Sequence, residues 1–429
     1  MNQAVMEAFG RAMAAADADG LRALFARHPE ARDLVDAPLC SFDSPPLVHV
    51  AGREDPGLVE VLLEAGADPN RRSDWWAGGF HALHFASPAS AERLLAAGAE
   101  PDACAAAHLD RIDLLQDLLD ADPERVHERG GDGQTPLHFA RSRPVADLLL
   151  ERGADIDARD VDHRSTPAQW MLAERRGAGR YELAAYLVER GASVDVFLAA
   201  ALGRTDRLRE MLAADPDLAR ERTGRGEYGE QPPSSFHIYT WTIGQHLSPL
   251  QVAERFEQDA AVAVLREFSA PIDLFLVACA AGHEDQARLL LAEHPGLGNE
   301  LPPEAMRALP DAAWKGDAEA VDLMLRLGFD PAARGQDGGT ALHCAAWKGA
   351  AACVEAALRH PGVRALIEDT DPVHGSTPLG WCCHGARHSG VRDGDHPAVA
   401  RLLLETGARP GPNIEDAPAD VRAVIAGFT

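Results

Sequence analysis

The sequence predicts an all-α solenoid: helix–turn–helix units stacked side by side, with hairpin fingers joining one unit to the next. Three observations predict it. The closing phrase LL-x-x-GA(D/E) recurs as VLLEAGADP, RLLAAGAEP, LLLERGADI and LLLETGARP. Openings of the kind GQTPLHFA and GGTALHCAA mark helix starts, and STPLGWCC, STPAQW, LSPLQVA, SPPLVHV and HALHFA are weaker versions. The spacing is regular, with ten intervals from Gly66 to Gly407 that average about 34 residues.

Each phrase has a physical reason. Thr135 or Thr377 is placed to cap a first helix, and Pro136 or Pro378 takes the first helical position, where its missing N–H costs nothing. Gly66 or Gly153 ends the second helix in a left-handed conformation that other residues adopt with strain. A second type of closing ends in Pro, near Pro29, Pro123, Pro216, Pro295 and Pro361. Looser copies of the first type close at Gly191, Ser269 and Gly328. A helix pair of this size cannot bury its own apolar face, so neighbouring units must stack.

These openings, closings and period resemble the ankyrin-repeat family over nearly the whole chain, and the Ala/Arg/Asp/Gly-rich composition is similar to that of bacterial ankyrin proteins. On that frame the chain divides into an N-terminal capping repeat (1–36), repeats two to seven (37–222), an inserted aromatic finger (223–246), repeats eight to twelve (247–413) and a C-terminal cap (414–429). Shortened junctions in HFASPASAERLL and HFARSRPVADLLL depart from the family pattern. So do two long stretches, 223–245 and 385–395. Within the first of these, FHIYTWTIG alternates and is rich in β-branched and aromatic residues, which predicts a strand or hairpin arm with His237, Tyr239 and Trp241 on one side.

Composition narrows the partners. The 429 residues carry 67 acidic against 41 basic side chains, a net charge of −26. Such a surface repels nucleic acid and anionic lipid and steers towards basic proteins or cationic ligands. Seven cysteines without framework spacing, mostly in Ala-rich helices, imply a reducing, cytoplasmic setting. The start MNQAVMEAFGRAM lacks the basic-then-apolar pattern of a signal peptide, and no run reaches the ~18 apolar residues of a membrane span.

The resemblance implies a function as a non-enzymatic module that binds a protein or peptide along a concave face, and the negative charge favours a basic one. The family places the two residues after the Ala-Ala pair of each first helix in that groove. Carried onto this sequence, the groove positions include His108, Arg255, Phe256, Trp314, Lys315, Trp347, Lys348 and His384. The repeated Trp-Lys-Gly makes Trp314 and Trp347 the strongest anchors, because tryptophan dominates binding hot spots. At such surface positions their replacement by alanine should leave stability nearly unchanged. A second reading is a small-molecule binder or unusual enzyme, in which the finger closes over the groove and His237, Tyr239, His108, Arg255 and Lys315 supply acid–base or electrostatic chemistry.

Cys382, Cys383, His384, His388, Asp393, Asp395 and His396 hold zinc-type donors, but Gly385 and Gly390 should end the helix before His388, and the sequence implies no metal and no cofactor. His84, His138 and His343 sit at the TPLH position, where the family's imidazole braces neighbouring repeats. No P-loop, dinucleotide fingerprint, nucleophile elbow or HExxH is present.

Overall fold

The computed structural model describes residues 3–172, 180–224, 235–244, 246–298, 301–391, 393–411 and 417–428. Residues 225–234, the centre of the insertion, lie outside the described residues. The described chain is helical throughout, and the single β-bridge in it joins Cys40 and Ser44. None of the described helices is long and apolar enough to cross a membrane. The chain forms two compact units, Met1–Phe268 and Ser269–Thr429.

Both units are made of successive antiparallel helix pairs. Their first helices are short and almost wholly buried: Ala103–His108 buries its first five residues and Val196–Ala201 buries all six. Alanine at these positions lets one first helix lie close against the next. The second helices are longer and amphipathic, as in Ile112–Ala121, where Leu115 and Leu119 face inward and acidic residues face out. In the second unit the core runs continuously from Phe275 through Leu309, Leu342 and Cys382 to Ile425 on the closing helix Ala419–Ala426.

Helix ends follow the expected chemistry. Thr377 is the N-cap of Pro378–His388 and its hydroxyl accepts from the Gly380 N–H at 3.2 Å, with Pro378 in the first turn. Gly407 closes His396–Thr406 at φ +110°. Where the sequence shortens the junctions, the first helix shrinks to about one turn, Ala82–His84 or Pro136–Phe139.

The TPLH histidines tie each repeat to the next. The Thr135 N–H donates to His138 Nδ1 at 3.1 Å, while His138 Nε2 donates to the Ser165 carbonyl, 27 residues away, at 3.1 Å. His343 repeats this with Thr340 and the Ser376 carbonyl, and His84 donates to the Asp102 carboxylate at 2.9 Å. Burial holds the His138 imidazole down at about 3, in spite of the Ser165 bond, so it stays neutral.

Two local expectations are corrected. FHIYTWTIG forms helical turns, Ser235–Ile238 and Tyr239–Thr242, where a strand was expected. Helical spacing therefore replaces alternation: Tyr239 goes fully inside, whereas Trp241 is 66 % exposed. The cause is tertiary. Phe197, Phe236 and Tyr239 pack on one another, and the Tyr239 hydroxyl donates to half-buried Asp195 at 2.7 Å, which outweighs local β-propensity. Secondly, Gly385 does not end its helix, which continues to His388. A Cβ on Gly385 would lie 2.3 Å from the Trp347 carbonyl oxygen, so this glycine serves a close helix approach.

Candidate functional site

In the second unit the proposed groove residues make a connected strip. Lys348 Nζ lies 4.4 Å from the centre of the Trp314 ring, a cation–π contact. Trp347 sits edge-on to Trp381 at 6.0 Å and beside His384 at 5.5 Å, and His384 in turn lies 4.4 Å from His388. Trp314 and Trp347 are both half-buried, while Lys315, His384 and His388 are exposed. The two tryptophans are therefore joined through their neighbours' side chains, each ring engaged within the repeat stack.

Three of the zinc-type donors of the same region, Cys382, Asp395 and His396, are used elsewhere. Cys382 is buried with its thiol on the His396 carbonyl, and burial pushes that thiol well above its ordinary range. His396 Nε2 donates to the Trp347 carbonyl at 3.0 Å, and Asp395 caps its helix through the Ala398 N–H. A concavity of about 390 Å³ lies among the second helices of this unit, lined by Glu284, Glu319, Asp322, Glu355, Arg326 and Arg359.

In the first unit the sequence-predicted residues scatter. His108 is half-buried with Nε2 on the Ala86 carbonyl at 3.3 Å, and burial, with Arg141 nearby, holds it at about 4. Phe256 stacks on Tyr181 at 5.6 Å, and Arg255 is exposed. Tyr239, expected to face a ligand, is fully buried, and burial beside Asp195 pushes its phenol well above the usual range. The insertion is clasped at its base by Thr223, whose hydroxyl donates to the Gly244 carbonyl at 2.5 Å and whose N–H donates to the Leu247 carbonyl at 3.0 Å.

What the structure does assemble around His237 and Trp241 includes residues that sequence reasoning passed over. His237 stacks on His163 at 5.8 Å and meets Trp241 edge-on at 6.5 Å. His163 belongs to a buried group with Asp132 and Asp162. Asp132 accepts from the Trp75 indole N–H at 2.9 Å, and Trp75 lies 6.0 Å from Trp76, which is 64 % exposed. Burial, with Asp162 and Asp160 alongside, pushes the Asp132 carboxyl up to about 7. The finger side of the unit thus presents two exposed tryptophans at the ends of a chain of ring and carboxylate contacts.

A sequence signal for this region existed. DVDHRSTPAQW at 160–170 and DPVHGSTPLGW at 371–381 share the pattern D-x-x-H-x-S-T-P-x-x-W. In both copies the aspartate holds its own turn. Asp160 accepts from the N–H groups of His163 and Ser165 and from the Trp170 indole. Asp371 accepts from Val373, His374 and Ser376 and from the Trp381 indole.

Repeated, stacked helix pairs joined by such turns agree with the match found in the sequence: residues 103–198 and 309–414 fit the family model described as ankyrin repeats, three copies. The chain contains ankyrin repeats. Over 159 residues it is 31 % identical to the rat ankyrin repeat and SAM domain-containing protein 6, covering 33 % of this chain and 17 % of that one. The mouse counterpart is 36 % identical over 120 residues, covering 27 % and 13 %. The match spans less than a fifth of the length of either relative. Among solved structures, the human ASB11 ankyrin repeat domain is similar with 18 % identity and a TM-score of 0.33, over 55 % of this chain and 98 % of that one. Ankyrin repeats make this chain a candidate protein-interaction module.

Proposed function

We propose that this ankyrin-repeat protein is a non-enzymatic module that docks a basic protein segment against the finger side of its first unit, in the cytoplasm. One observation carries the reading: Trp76 and Trp241 are 64 % and 66 % exposed, each backed by a ring beneath it. A large aromatic surface left in water while its base is held rigid is the usual form of a binding anchor. The net charge of −26 supports a Lys/Arg-rich partner, and a row of acidic groups steers such a partner at long range. Seven cysteines, six of them buried and without the spacing of a disulfide framework, go with a reducing compartment.

The described part of the insertion supports docking at the fingers over enclosure of a small molecule, because Tyr239 is spent inside the stack. The concave strip of the second unit, with Trp347, His384 and Lys315, is the competing surface. Selection of a displayed peptide library on the whole protein separates the two. The proposal expects Lys/Arg-rich peptides whose affinity falls at least about tenfold in Trp76→Ala or Trp241→Ala and weakens with salt. Neutral or acidic winners, or affinity that responds only to Trp347→Ala and His384→Ala, would sink it.

A further inference from the structure

We propose that Asp132, Asp162 and His163 form a binding site for a first-row divalent cation of the zinc or manganese class, which staples two successive fingers of the first unit. One ligand atom from each residue lies within 4.8 Å of the other two, close enough for one ion to reach all three. All three residues are buried, at 5, 4 and 6 % exposure, so the donors do not belong to a solvated acidic patch. Two carboxylates and one imidazole form a mixed oxygen–nitrogen set. The imidazole favours a transition ion over calcium or magnesium, which prefer all-oxygen sites.

The backbone builds this convergence. Asp132 sits at φ +55°, and its carbonyl accepts from the N–H groups of Val161 at 2.9 Å and Asp162 at 3.2 Å. This pair of bonds brings the finger tip of one repeat onto that of the next. Asp160 fixes the turn carrying His163, and the Trp75 indole orients the Asp132 carboxylate from outside, the kind of support that ligand groups receive in metal sites. His237 of the insertion covers His163 from the side. With Asp160 at 1 % exposure there are three buried carboxylates in one turn cluster, an arrangement whose mutual repulsion a bound cation would relieve.

The second copy of the motif supplies an internal comparison. There the turn forms with the same Asp371 and Trp381 hydrogen bonds, yet Val373 occupies the place of Asp162 and is 62 % exposed. Asp337, in the place of Asp132, and His374, in the place of His163, are exposed as well. The Asp162 carboxylate is therefore not required to fold this turn. Only the copy that carries it also gains the covering walls from Trp75 and His237.

Equilibrium dialysis of the chelator-stripped whole protein against zinc chloride, and separately manganese chloride, followed by metal analysis and thermal melts, tests the site. The expected result is about one equivalent of tightly held ion and a rise in Tm of several degrees, both lost in Asp132→Asn and Asp162→Asn. Without metal, the same substitutions should raise Tm, because they remove like-charge crowding, so the order of stabilities reverses when metal is added. Asp162→Val, which copies the second unit, serves should the amide variants fail to fold. Unchanged binding in these variants, binding abolished by His384→Gln instead, or no ion retained by the stripped wild type would overturn the assignment.

Discussion

Individual side chains in this protein divide by whether their polar atoms are satisfied inside the stack. Trp381 is 5 % exposed and its indole N–H holds Asp371 at 2.8 Å, so Trp381→Ala should cost roughly 3–5 kcal/mol of unfolding free energy, measured by urea denaturation. Trp347 is half-buried between Trp381 and His384. Its replacement by alanine should cost about 1–2 kcal/mol, more than a free groove residue would. Trp76→Ala and Trp241→Ala should stay within about 0.5 kcal/mol, since two-thirds of each ring is already in water. The histidines add a pH dependence. His138 is held at about 3 and His81 at about 4, chiefly by burial, against an ordinary 6.5. The unfolded chain therefore takes up these protons first as pH falls, so their contribution is complete above about pH 6.5 and fades through 4 towards 3. Urea midpoints recorded from pH 7.5 to 4 should decline, and a flat profile would contradict the neutral buried assignment.

At the scale of elements, the ends of helices were the most legible part. Thr377, Pro378 and Gly407 do what their residue types require locally, because capping and left-handed φ depend on neighbours three or four residues away. Gly153 lies at φ +94° with open space around the missing Cβ, so Gly153→Ala should cost about 1–2 kcal/mol through backbone strain alone. Gly385 makes the contrast. It lies in mid-helix, and Gly385→Ala should destabilise by roughly 1–3 kcal/mol because the added methyl meets the Trp347 backbone of the adjoining repeat. Both are checked by a lowered urea midpoint at constant slope. The insertion misled for the same reason that Gly385 did. FHIYTWTIG has the composition of a strand, but the half-buried carboxylate of Asp195 and the ring of Phe197 set its conformation, and neither lies near it in sequence.

For the whole molecule, the dominant quantity is the charge of −26 spread over short repeats. Like-charge repulsion is long-ranged at low salt, so raising the ionic strength from a few millimolar to physiological should lift Tm by several degrees, read by scanning calorimetry. Repeat stacking makes stability a sum of repeat and nearest-neighbour interface contributions, and cross-repeat bonds such as His138 to Ser165 belong to the interfaces. The sequence by itself determined the architecture: a period near 34, cap residues and TPLH histidines all act within one repeat or across one junction, and such short-range rules are written in order along the chain. It also marked Trp314, Lys348, Trp347 and His384 as neighbours along first helices, since the repeat converts a fixed interval into adjacency. The tertiary structure alone decided which tryptophans face water, that Tyr239 is interior, and that Asp132, Asp162 and His163 converge beneath Trp75 and His237. Those outcomes depend on contacts between finger 72–80, two later turns and an insertion, at separations from about thirty to about seventy-five residues. No periodic rule relates residues so far apart, so burial and convergence there follow from how the turns fold onto one another.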